Sequence, residues 1–103
     1  MIRFALIIVL LGALPALAQA LPGDRYAGHT LARDVCAACH FIESEDMGDS
    51  WADAPAFQDV ADDPAITAIS LRVFLGTWHQ NMPNLMLSEA ETDDIIAFIL
   101  SLK

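Results

Sequence analysis

Positive charge is scarce in this chain: four arginines and one lysine stand against 14 acidic residues, a formal net charge of −9 at pH 7. A surface of that sign repels a phosphate backbone, so nucleic acid is excluded as a partner. Cysteine is equally scarce. Cys36 and Cys39 are the only two, and a disulfide between them would close too short a loop to constrain the unfolded chain or add much stability. A structural zinc site needs four ligands, and His29 and His79 supply no second pair at zinc-finger spacing. The sequence also lacks a convincing run of strand alternation, a phosphate-binding glycine loop and a nucleophile-base pair.

Long apolar runs are confined to the amino terminus. Arg3 makes a short positive start, Phe4 to Leu14 is apolar, Pro15 interrupts the run, and small residues follow at Ala16-Leu17-Ala18 and Ala18-Gln19-Ala20. That order predicts a secretory signal over residues 1–20, cleaved after Ala18 or Ala20. The run falls short of the roughly 20 apolar residues that a spanning helix needs. Cleavage leaves one domain, residues 21–103, in which 4 cationic residues face 14 acidic ones, a formal balance of −10. So short a chain has a marginal core and usually needs a staple or cofactor.

What the chain does have is Cys36-Ala37-Ala38-Cys39-His40. A Cys-x-x-Cys pair followed directly by His is the signature of covalent c-type haem attachment. Two thiols about one helical turn apart can each add to a vinyl group on the same porphyrin edge, and the adjacent imidazole can reach the iron. The motif occurs once, so one haem c is expected. A thioredoxin-like pair would need a strand before the motif, and helical patterns lie on both sides here. Haem attachment and a signal together predict an exported, periplasmic protein, with the haem-free chain largely unfolded.

The helical pattern predicts an all-α domain. A first helix runs from Asp24 or Arg25 into the motif, with Gly28, Leu31, Ala32 and Val35 on one face. A loop follows from Glu43 to Pro55. Asp62-Asp63-Pro64 reads as an acidic cap with Pro at the first helical position, opening a segment striped by Ile66, Ile69, Val73 and Phe74 and stopping near Gly76. Ser88-Glu89-Ala90-Glu91 is a capping box, and Ile95, Phe98, Ile99 and Leu102 form the buried stripe of the last helix. Phe98 is suited to lie across the small surface of Gly28 and Ala32.

Four residues compete for the second axial position: Met47, His79, Met82 and Met86. Met82 has the best context, because Pro83 biases it toward extended backbone and Asn81 and Asn84 flank it with loop-compatible side chains. His79 is the main rival and would give bis-His ligation. Met82 with His40 would make the His/Met pair of electron-carrying cytochromes. Trp51, Trp78 and Arg72 are candidates for the haem propionates, and His29 reads as an exposed residue of the first helix.

This order of features resembles a class I cytochrome c of the compact bacterial type: a helix running into Cys36-x-x-Cys39-His40, a loop proline, Met82-Pro83 and a capped last helix. The likeness covers essentially the whole of residues 21–103, and the interval of 42 residues from His40 to Met82 fits that type. It implies the cytochrome c fold, a small helical domain packed around one covalently attached haem, and a one-electron carrier rather than an enzyme. It also implies that a loop proline carbonyl accepts a hydrogen bond from the proximal histidine. Pro55 is the matching position, although Ala54 stands where Gly is commoner. The competing functions are a haem-based sensor or peroxidatic module, which needs an open sixth site, and a permanent subunit of a periplasmic dehydrogenase. As a carrier, the protein is expected to be a monomer without a membrane span, meeting periplasmic redox proteins through their basic surfaces.

Overall fold

The chain turns helical where a side chain first satisfies its free amides. In the computed structural model, which describes residues 21–46, 54–78 and 81–103 together with Gly12, the Asp24 carboxylate accepts hydrogen bonds from the Tyr26 and Ala27 amides at 2.8 and 3.3 Å. Such a cap stabilises a helix start by about 1 kcal/mol. Helix α1 (Arg25–Val35) follows, beginning where the sequence predicts. The signal segment other than Gly12, and Met47, Trp51 and His79, lie outside the described residues.

Helix α4 (Glu89–Ser101) is the element on which the others pack. Its expected capping box forms in both directions: Ser88 Oγ accepts from the Glu91 amide at 3.1 Å, and Glu91 Oε1 accepts from the Ser88 amide at 3.0 Å. The expected single stripe is broader in the structure, where every residue from Ile95 to Ile99 is buried. The reason is that α4 packs against α1, α2 and α3, and a helix with several neighbours buries more than one stripe.

Contact between α1 and α4 depends on two glycines. A Cβ on Gly28 would lie 1.9 Å from the Asp94 carbonyl oxygen and 2.9 Å from Phe98 Cβ, so Phe98 does lie across Gly28, as expected. Gly23 has φ +96°, and its Cβ would lie 2.3 Å from the Asp93 carbonyl oxygen. The Asp24 amide then donates to Asp94 Oδ1 at 2.8 Å, fixing the start of α1 to the flank of α4.

The middle of the chain corrects the sequence reading. Asp62-Asp63-Pro64 does not open a helix. Asp62 instead ends α2 (Phe57–Asp62), a short helix that the sequence pattern does not predict because Ala56 at its N-cap offers no capping side chain. Asp63 then makes a turn, its Oδ1 accepting from the Ala65 amide at 2.8 Å. Helix α3 (Ala68–Leu75) starts only after Thr67, which exchanges reciprocal bonds with Ser70, and stops before Gly76 as expected. This later start changes the stripe: Leu71 is buried, whereas Ile69 and Val73 are exposed. Among the described residues there are four α-helices and no strand, the all-α architecture expected.

Candidate haem site

At the end of α1 the backbone tightens into a single 3₁₀ turn, Cys36–Ala38. The Cys39 and His40 amides donate to the Cys36 carbonyl at 3.1 and 2.9 Å. This turn presents Cys36, Cys39 and His40 to one cavity of about 660 Å³. Its walls are mostly carbon, from Val60 of α2, Leu71 and Leu75 of α3, and Ile95 and Ile99 of α4. Protein interiors seldom leave voids much larger than a water molecule, so a hollow of this size in so small a domain fits a large apolar group. The two thiols are free rather than joined to each other, and both remain available for thioether formation. Burial pushes the Cys36 thiol up to about 11, an environment that favours uncharged sulfur.

His40 is oriented from two directions. Its Nδ1 lies 2.6 Å from the Pro55 carbonyl oxygen, and because a carbonyl can only accept, Nδ1 must carry the proton. Nε2 is left with its lone pair directed away from that bond. The Phe57 ring lies 5.2 Å from the imidazole, centroid to centroid, and the Phe57 amide donates to the Phe41 carbonyl at 2.8 Å. Thus α2, absent from the sequence reading, supports the residue that follows the cysteines. A proline carbonyl cannot be assigned to that role by residue type alone.

Met82 lines the same cavity, with Asn81, Pro83, Leu85 and Leu87 of the segment joining α3 to α4. Met86 points away and is 85% exposed. Arg72 and Trp78, considered above for the propionates, are not among the lining residues. Arg72 is paired with Asp93 of α4, and Trp78 is 72% exposed. His29 is also better placed than its sequence context indicates. It is partly covered, stacks on Phe98 at 4.8 Å and holds Glu43 Oε1 at 2.5 Å from its Nε2. No helix among the described residues is long and apolar enough to cross a membrane.

The sequence is also similar to known proteins. The cytochrome c family model matches residues 26–103. A cytochrome c-552 of Bradyrhizobium diazoefficiens is 39% identical over 85 residues, which span 82% of this chain and 81% of the relative. No solved structure matches significantly. With the haem-attachment motif lining the cavity, the chain belongs to the cytochrome c family, as an electron-transfer protein that carries covalently bound haem c.

Proposed function

We propose that the protein is a periplasmic monohaem carrier of single electrons, with Cys36 and Cys39 as the thioether anchors and His40 and Met82 as the axial ligands. The observation that carries this reading is that all four side chains line one apolar cavity. When bound, haem supplies an iron centre that exchanges one electron at a time.

The chain's own residues do the rest. Cys36 and Cys39 would hold the porphyrin through two thioether bonds. His40 donates from Nδ1 to the Pro55 carbonyl, which raises the basicity of the ring, fixes its plane and leaves Nε2 to hold the metal. Met82 offers a soft thioether that favours the reduced state. With His40 and Met82 both holding the iron, small molecules would be kept from it, which would separate a carrier from a sensor or peroxidatic module. The carbon-rich walls exclude water and limit reorganisation when the charge changes.

The expected signal at residues 1–20 supports export, and the −10 balance of residues 21–103 supports brief encounters with basic redox partners. Cell fractionation followed by intact-mass measurement tests the assignment. The expected species begins near Gln19 or Leu21 and carries one haem. A cytoplasmic, haem-free chain would overturn it.

A further inference from the structure

Met82 lies between two unusual backbone positions. Asn81 has φ +66° and Met86 has φ +51°, and among the described residues no other non-glycine residue has positive φ. Asparagine tolerates the left-handed region because its short polar side chain bonds locally. Methionine has no such compensation, and its Cβ crowds the following carbonyl there. The exposed Met86 side chain makes no buried contact that would offset this cost.

The conformation is held from outside residue 86. Asn84 Oδ1 accepts a hydrogen bond from the Met86 amide at 3.0 Å. Leu85 and Leu87, on either side, are half-buried and line the cavity. Only Pro83 separates Met82 from Asn84, so Met82 and this turn belong to one short segment, in which Met82, Pro83, Leu85 and Leu87 line the cavity.

We propose that Asn84 and Met86 act together as a positioning device for Met82, in which the backbone strain at Met86 sets how readily the thioether leaves the metal. The proposal rests on Met82 being an axial ligand. Asn84 holds the closed arrangement, and the residue type at 86 sets the opposing strain. Occupancy of the sixth site is therefore tuned by a side chain that never touches the cavity.

The test uses the ferric holoprotein with imidazole as a competing ligand, and two variants that both remove the exposed thioether. Met86→Asn places a residue tolerant of left-handed backbone at 86, and Met86→Val places a β-branched one that fits it badly. Imidazole is expected to bind the valine variant roughly five- to tenfold more tightly than the asparagine variant, with the native protein between them. Asn84→Ala should shift affinity in the same direction as valine, and it serves if the valine variant yields no holoprotein. A general loss of stability would move the denaturation midpoint without separating the imidazole affinities. Equal affinities in the two Met86 variants would overturn the proposal. If native protein binds imidazole as freely as Met82→Ala, the axial assignment itself fails and the proposal falls with it.

Discussion

His40 Nδ1 donates to the carbonyl of Pro55 at 2.6 Å, and this bond joins the haem-attachment motif to the segment that enters α2. The proline ring restricts φ at residue 55, which limits where its carbonyl can sit, and the bond holds the imidazole in one tautomer and one orientation. Replacing Pro55 with glycine keeps the carbonyl but frees its position. The bond should weaken, the imidazole should become less basic, and the midpoint potential should rise. A redox titration of Pro55→Gly that gives an unchanged or lower potential would contradict the role assigned to this carbonyl.

The approach of α1 to α4 allows no side chain at residue 28. Gly28→Ala brings a Cβ into the Asp94 carbonyl and Phe98 Cβ, so the helices must part or the variant must strain. Overpacking of this kind costs about 1–3 kcal/mol. Denaturant unfolding should show that loss, while the potential should change little because Gly28 does not line the cavity.

The cap of α4 makes a signed prediction about acid. Glu91 is held below the usual carboxylate range, first by its hydrogen bond from the Ser88 backbone amide and then by the Ser88 side chain. A carboxylate with a depressed folded value contributes stability above its unfolded value and loses it as pH falls through the folded one. Glu91→Gln should therefore be less stable than native at neutral pH, and the gap should close as Glu91 protonates in acid. Ser88→Ala removes the other half of the box and should cost about 1 kcal/mol at neutral pH. Unfolding curves over an acid series check both.

Much of this molecule can be read from its sequence where one residue type admits one role. Cys36, Cys39 and His40 are contiguous, so their shared chemistry is visible without the fold. Ser88 and Glu91 form a local pattern, and both bonds appear in the structure. Asp62-Asp63-Pro64 misleads because an acidic pair before proline suits a turn as well as a helix start, and the competing cap at Thr67 is as local and as strong. Helix α2 is six residues long, too short to show a period. The setting of His29 depends on Phe98 and Glu43, partners from other parts of the chain that no spacing rule connects to it.

Electron transfer with a basic partner protein should slow as salt rises. On the proposed reading the acidic balance would raise the encounter rate through long-range attraction, and the screening length falls from about 10 Å at 0.1 M to about 3 Å at 1 M. Stopped-flow rates measured across that range check this. A rate that does not respond to salt would favour an apolar contact or a permanent subunit.

The most direct test of the account is the weak sulfur-to-iron charge-transfer band of the ferric holoprotein, recorded for the native chain and for Met82→Ala. Ligation by Met82 predicts that the native protein shows the band with a six-coordinate low-spin spectrum, and that Met82→Ala loses it. A native spectrum without the band, or a band that persists in Met82→Ala, would contradict the assignment of His40 and Met82 as the axial pair.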